Sequence, residues 1–345
     1  MIDLRSDTVT LPTDQMREVM RLAEVGDDVY QEDPTVNQLE DLSASLMGKE
    51  AGLFIPSGTM GNLIAVLAVC QRGDEALMGD MSHTFLYEAG GISALGGIFA
   101  HTLPNLPDGT IDPDQISDAI RGEDIHEPKT RMLILENTHN RCGGVALSME
   151  YISAIQEIAR SKELWLHLDG ARIFNAAIKL NQSVVDLVSP FNSVTFCLSK
   201  GLGAPVGSVL CGSVQFVAGA RRLRKQLGGG MRQAGILAAA GIYALENNLE
   251  RLADDHRRAA LLAEGLNQID GIRLIMNTPQ TNMLYIEFDS VSPAEMSRFK
   301  SALLSAGLKV SISHGNIIRL VTHLGISDED VEVVVRTFKK ILSDQ

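Results

Sequence analysis

Residues 164–172 read LWLHLDGAR. Leu164, Leu166 and Leu168 alternate with Trp165, His167 and Asp169, which is the two-residue period of a strand. The strand ends at an acidic residue followed by Gly170. In open α/β sheets, ligands bind beyond the carboxyl ends of the strands. Asp169 is therefore where a functional carboxylate is expected. On this segment alone, an Asp that opens a turn before Gly170 is an equally good reading.

The same grammar recurs on both sides of this stretch. Residues 36–50 carry a helical pattern (Val36, Leu39, Leu42, Leu46) that runs into Gly48. AGLFIP at 51–56 reads as a buried strand, SGTMGN as a turn, and LIAVLAVC as a buried helix. EALMGD, GGIFAHTL, RMLILENT, NSVTFCLSK and VGSVLCG are further strands, with ISDAI, MEYISAIQEIARSK and residues 214–227 as helices between them. Strands alternating with helices predict an α/β fold, a mostly parallel sheet covered on both faces. Residues 234–266 read as one long helix, with a domain boundary near 248. The remainder (MLYIEFD, a helix near 293–306, strands around KVSIS and NIIRLVTH, and a terminal helix) predicts a smaller α+β domain. The expected division is an extended arm over 1–15, a large domain over 16–248 and a small domain over 249–345.

The 345 residues are enough to bury a core without metal or disulfide support. Thirty basic against 43 acidic residues give a net charge of -13, which argues against nucleic acid or an anionic membrane as the main partner. Cys70, Cys142, Cys197 and Cys211 form no CxxC pair and no zinc-ligand spacing, so no metal site is expected. They read as reduced thiols. MIDLRSDTVT has no apolar core of a signal peptide, and the longest apolar run, Leu63 to Cys70, is too short to span a membrane. The expectation is a soluble, cytoplasmic protein.

Two more segments carry chemistry. VTFCLSKGLGAPVG (194–207) is an apolar strand that ends in Ser199 and Lys200. A Lys that closes a buried strand is costly unless it snorkels to solvent or has a task, and a partly desolvated Lys forms Schiff bases readily. SGTMGN (57–62) lies between a strand and a helix. Gly58 and Gly61 let backbone amides approach a ligand, and Ser57 or Thr59 can cap the helix, which makes an anion site or merely an ordinary cap. The spacing fits neither a dinucleotide site nor a P-loop. Together, an anion cradle, a strand-end Asp and a strand-end Lys are what pyridoxal phosphate requires. The helix start takes the phosphate, the Asp keeps the pyridine nitrogen protonated, and the Lys holds the aldehyde as an imine.

MIDLRSDTVT, AEVGDDVY, SGTMGN, ENTHN, HLDGARIFNAA, CLSKGLGAPVGS, GGGMRQAGILAAAGIYAL and RLVTHL resemble the low-specificity threonine aldolases, from residue 1 to about 325. These are fold-type-I, aspartate aminotransferase-like enzymes dependent on pyridoxal 5'-phosphate, with a three-layer α/β/α large domain and a small C-terminal α+β domain. The resemblance implies cleavage of L-threonine, L-allo-threonine and related β-hydroxy-α-amino acids to glycine and an aldehyde, through an external aldimine and a quinonoid. It implies Lys200 as the Schiff-base lysine, Asp169 on the pyridine nitrogen, Gly58 and Thr59 on the phosphate, and His83 stacked on the ring. Arg172 would lie near the phenolic oxygen and the substrate carboxylate, with Ser6 and Arg319 completing the carboxylate clamp. His83 and His126 are the candidate bases, and His126 and Tyr30 would also meet the substrate.

The family builds its active site between subunits and is typically a homotetramer, a dimer of dimers. That implies Arg232 and Lys225 near a phosphate across an interface. The bland reading of RRLRK (221–225) is a solvated helix face. Two positions depart from the family pattern. Gln31 stands where relatives usually have Gly, and Glu127 where an aromatic is usual. A β-eliminating lyase, a racemase or an aminotransferase would share the cofactor residues. A non-catalytic relative would be expected to have lost one of Asp169, Lys200, Arg172 or Arg319. Between Asp186 and Glu246 the sequence has no acidic residue and six cations (Lys200, Arg221, Arg222, Arg224, Lys225, Arg232), a basic interval in an otherwise acidic chain.

Overall fold

In the computed structural model, residues 1–275, 279–289 and 291–343 are described. All seven strands expected in the first 212 residues are present: β1 (Ala51–Ile55), β2 (Glu75–Gly79), β3 (Phe99–Leu103), β4 (Thr130–Glu136), β5 (Trp165–Asp169), β6 (Ser193–Cys197) and β7 (Ser208–Gly212). They form one sheet in the order β1-β7-β6-β5-β4-β2-β3. β3, β2, β4, β5 and β6 are parallel neighbours, and β7 runs antiparallel to both β6 and β1.

Every residue of β2, β6 and β7 is buried, the polar Glu75, Ser193, Thr195 and Ser208 among them. Successive residues feed two different cores. Leu133, Leu135, Leu166 and Leu168 pack with Val36, Leu39, Ile152 and Ile155 on one face. Met132, Ile134, Ala76 and Met78 pack with Ile64, Val66, Phe216 and Val217 on the other. The result is the three-layer α/β/α arrangement. It also puts His167 and Asp169, which alternate with Leu166 and Leu168, on the face covered by the helix Gly58–Val69.

The C-terminal part has its own antiparallel sheet, β8 (Ile272–Ile275), β9 (Met283–Phe288), β10 (Ser311–His314) and β11 (Ile317–Val321), in the order β10-β11-β9-β8. Leu262, Ile286, Phe299, Ile318 and Phe338 fill the core beneath it, and Leu4 packs with them. The arm therefore does not hang free. Its Ile2–Asp3 pairs in parallel with Leu308–Lys309, and a helix, Asp14–Leu22, capped by Thr13, follows.

The expected long helix over 234–266 is two helices, Gly235–Asn247 and Leu252–Leu266. The break is held by the loop after β6: Asn248 Nδ2 donates to Leu202 O, and Arg251 Nη1 donates to Gly201 O. Strand β8 and the helices Ile173–Leu180 and Val184–Val188 carried no clear pattern in the sequence.

Candidate active site

Asp169 closes β5 beside Glu136, which closes β4, because the two strands pair in that register. Each strand-end carboxylate organises the loops around it. Glu136 Oε2 accepts the backbone N–H of His83 at 2.7 Å, and its Oε1 accepts the N–H of Asn140 at 2.9 Å. Asp169 Oδ2 accepts from Asn62 Nδ2 at 2.8 Å, and its Oδ1 accepts from the Ala171 N–H at 3.2 Å. Asn62 reaches Asp169 because it lies one turn into the helix Gly58–Val69, whose N-terminus is capped by Ser57 accepting from Met60 N–H. A Cβ at Gly58 would meet Cys197 Sγ at 2.9 Å, so only glycine lets this helix start lie so close to the end of β6.

Beyond Cys197 the backbone turns away from the sheet and presents Lys200 half-buried, with its carbonyl fixed by Thr10 Oγ1 at 3.0 Å. Lys200 lines a cavity of about 380 Å³ together with His83, Arg172, Ser6 and Arg319. That size suits a small-molecule site. Arg172 is buried and bidentate on Asp7, with Nε at 2.7 Å and Nη2 at 2.6 Å. Burial alone would push the Asp7 carboxyl up. The Arg172 guanidinium, helped by Lys200 and Asn282, overrides burial and holds it well below the usual carboxylate range.

Arg319 lies on the inner strand β11, opposite Tyr285 of β9 and Ser311 of β10, and not at a sheet edge. It donates to Asn140 Oδ1 at 2.8 Å and to Arg5 O at 3.0 Å, both neutral acceptors. Arg141, also in the cavity wall, donates to Ser313 Oγ at 2.9 Å.

Lys200, His83, Arg172, Ser6 and Arg319 thus share one cavity. Asp169 lies behind His83, with ligand atoms of His83, Glu88 and Asp169 all within 4.8 Å of one another. Asn62 Nδ2 donates to both Glu88 and Asp169, so an N–H bridges these carboxylates where a cation would have to sit. Thr59 is exposed in the first turn of its helix.

Besides Asp169, Gly58 and Thr59, which lie outside its lining, four residues assigned by resemblance do not line this cavity within one chain. His126 sits on the exposed loop before β4, at the end of that strand opposite Glu136, with Nδ1 2.7 Å from Asp124. Tyr30 is 70% exposed. Lys225 is exposed on the helix Val214–Gln226, and Arg232 is paired with Asp27 at 2.8 Å.

The basic interval is also less positive than its sequence. Arg224 is buried on Asp28, and Arg221 reaches Glu40, so the N-terminal third of the chain neutralises much of it. Of the two departures from the family pattern, Gln31 adopts a left-handed φ of 60° at the end of a short turn, a conformation that suits Gly. Glu127 pairs with Arg121.

Sequence reasoning missed Asp7, Asn62, Glu88, Asn140, Arg141 and Tyr285. Asp7, Asn62 and Asn140 stood inside the family motifs. Tyr285 is brought in only by the pairing of β9 with β11.

The donor set fits pyridoxal phosphate. A half-buried amine, a buried carboxylate oriented by an amide, and a capped helix start with a glycine at its first position meet at the ends of β5, β6 and β1.

These features define a lysine-centred enzyme of the fold-type-I class. A family model described as beta-eliminating lyase matches residues 3–289. A probable low-specificity L-threonine aldolase 2 of Arabidopsis thaliana is 48% identical, covering 99% of this chain and 97% of its own. A low specificity L-threonine aldolase of Escherichia coli (strain K12) is 45% identical, covering 99% and 100%. The solved structure of Leishmania major threonine aldolase superposes with a TM-score of 0.84 at 21% identity, covering 99% and 100%. The chain belongs to the beta-eliminating lyase family, in its low-specificity threonine aldolase branch.

Proposed function

We propose that this chain is a carbon–carbon lyase that uses pyridoxal 5'-phosphate to cleave L-threonine, L-allo-threonine and related β-hydroxy-α-amino acids to glycine and an aldehyde. One observation carries the reading: Lys200, His83 and Arg319, a cation with only neutral partners among the described residues, converge on one cavity beside Asp169. Lys200 would hold the cofactor aldehyde, Asp169 the pyridine nitrogen, and the helix start at Gly58 and Thr59 the phosphate. When bound, the cofactor supplies a sink for the electron pair left at Cα.

The chain's own residues do the rest. Arg319, with Ser6 beside it, binds the substrate carboxylate and so sets which bond at Cα is aligned for cleavage. Among the described residues His83 Nε2 makes no hydrogen bond, and it is the group placed to accept the β-hydroxyl proton. As that proton leaves, the Cβ–O bond becomes a carbonyl and the Cα–Cβ pair stays with Cα. A proton delivered to Cα completes glycine.

A homotetramer with sites between subunits is part of the proposal. His126, Tyr30, Lys225 and Arg232 would then meet a neighbour's cavity, and the 97% exposure of Ile125 next to His126 supports a covered surface there. Four free, buried cysteines support a reducing compartment such as the cytoplasm. Among the described residues, no helix is long and apolar enough to cross a membrane.

The test is product analysis with L-threonine, L-allo-threonine and their D forms. Glycine and acetaldehyde are expected. A 2-oxo acid or a racemised amino acid as the main product would sink the reading in favour of elimination, transamination or racemisation. Lys200→Ala is expected to abolish both cleavage and the visible absorbance of bound cofactor.

A further inference from the structure

Beneath the cavity runs a chain of hydrogen bonds whose direction is fixed by its members. Trp165 Nε1 can only donate, and does so to Ser193 Oγ at 2.9 Å. His167 Nδ1 lies 2.8 Å from the same hydroxyl, and its Nε2 lies 3.3 Å from Asn62 Oδ1. Burial lowers the His167 pKa to about 4, so the ring is neutral and has one N–H. Asn62 Oδ1 is an acceptor, so that N–H is on Nε2. His167 Nδ1 then accepts from Ser193. Asn62 spends both amide hydrogens on carboxylates, Glu88 Oε1 at 2.9 Å and Asp169 Oδ2 at 2.8 Å. A flipped amide would face two carboxylates with an oxygen, so this orientation is the only one the partners accept.

The chain ends at Glu88, which is buried, 5% exposed, and has no role in any of the family motifs. Its Oε1 also faces His83 Nδ1 at 2.9 Å, while its Oε2 is buried with no hydrogen-bond partner among the described residues. Oε1 already accepts from Asn62, so it accepts from His83 Nδ1 as well; with the ring neutral, its N–H is on Nδ1 and Nε2 is left as a lone-pair acceptor.

We propose that Glu88 is a positioning residue for the lyase reaction: it holds His83 with Nδ1–H toward the protein and Nε2 free for the cavity, and through Asn62 it ties that setting to Asp169. The proposal rests on the reading of His83 as the base. Other charged or titratable groups also face His83. Asp169 of β5 adds negative charge and Lys200 adds positive charge. Glu136 of β4 holds its backbone N–H, and the Tyr87 ring lies 5.6 Å away. Burial opposes a charged ring, but the Glu88 hydrogen bond with the Asp169 and Glu88 charges outweighs it and raises the His83 pKa. A Glu88 that merely filled space would leave the titration of His83 unchanged on replacement.

The experiment uses the full-length purified enzyme, Glu88→Gln and Glu88→Leu. The pH dependence of diethyl pyrocarbonate modification at His83 is read by peptide mass spectrometry, without amino-acid substrate. Glu88→Gln keeps an acceptor for His83 and Asn62 but removes the charge. It is expected to lower the half-modification pH by about one unit, with the melting temperature retained and KM within about twofold. The acid limb of kcat should move down by the same amount, and its plateau should fall about three- to tenfold, because a weaker base transfers the proton less readily. Glu88→Leu should show a larger loss of kcat, and if it does not fold, Glu88→Gln alone decides. An unchanged His83 profile in a folded Glu88→Gln protein would overturn the proposal. A shifted profile in a protein that fails to cleave threonine would support Glu88's role and overturn the functional reading instead.

Discussion

The cavity has two walls that treat arginine in opposite ways. On the large-domain side, Arg172 is buried and both nitrogens it uses go to Asp7, a carboxylate of the same chain. Where the small domain closes the cavity, Arg319 of β11 and Arg141 of the loop after β4 are held by an amide oxygen, a backbone carbonyl and a hydroxyl. A bidentate ion pair has its charge cancelled and its geometry fixed, so Arg172 serves as a strut between the arm and β5. A guanidinium held by neutral acceptors is oriented but not neutralised, so its charge remains for a ligand. Charges already paired set shape, and charges left unpaired bind.

The most severe way to break this contrast is Asp7→Asn. It leaves Arg172 buried without its anion and is expected to cost about 3–5 kcal/mol in urea unfolding. The Asp7 pKa is depressed in the folded state, so its contribution is present above about pH 4 and is lost as pH falls below that value. An acid-stability profile for Asp7→Asn that matched the parent's would mean Arg172 is not a strut.

Next in size, Arg319→Gln should leave stability almost unchanged and reduce kcat/KM by about 10²-fold, mostly through KM, because a charge-assisted bond to the substrate carboxylate is lost. Arg141→Gln should cost about tenfold. If Arg319→Gln unfolded the protein without a KM effect, the two walls would not differ in kind.

The smallest effect sharpens the rule about pairing. Asp255 is also buried against an arginine, Arg251, but its Oδ2 has no hydrogen-bond partner among the described residues. Burial wins there, and its pKa rises to about 6 despite Arg251. A raised carboxyl stabilises the fold below about pH 4 and loses that contribution as pH rises through 6. Asp255→Asn at pH 8 is therefore expected to stay within about 1 kcal/mol of the parent. A loss as large as that of Asp7→Asn would show that a single-oxygen pair is as good as a bidentate one.

Most of the fold was legible because burial on both faces leaves a strong trace. β2, β6 and β7 announce themselves as short, mostly apolar segments, and β5 announces both its strand and its functional end in nine residues. β8 escaped because its four residues, Ile272–Ile275, include an exposed arginine and lie at a sheet edge. The break in the helix at 248–251 escaped because its cause is tertiary. Both segments favour helix, and what separates them is bonding of Asn248 and Arg251 to the lysine loop. Lys200, Asp169, Ser6, Arg172 and Arg319 were nameable because motifs carried them. Glu88 was not, since nothing in its local spacing distinguishes it from a helix-surface glutamate.

By itself, then, the sequence determined the layered α/β architecture, the strand ends that bear Asp169 and Lys200, and the family. These follow from local periodicity and from short motifs, which are properties of neighbouring residues. Only the tertiary structure decided which charges are free. Arg221, Arg224 and Arg232 look like a positive patch in sequence, yet they are neutralised by Glu40, Asp28 and Asp27 from nearly two hundred residues away. Arg172 meets Asp7 across 165 positions, whereas Arg319 meets only neutral atoms among the described residues. Electrostatic compensation acts over a few ångströms of space whatever the separation along the chain, so no one-dimensional pattern records it.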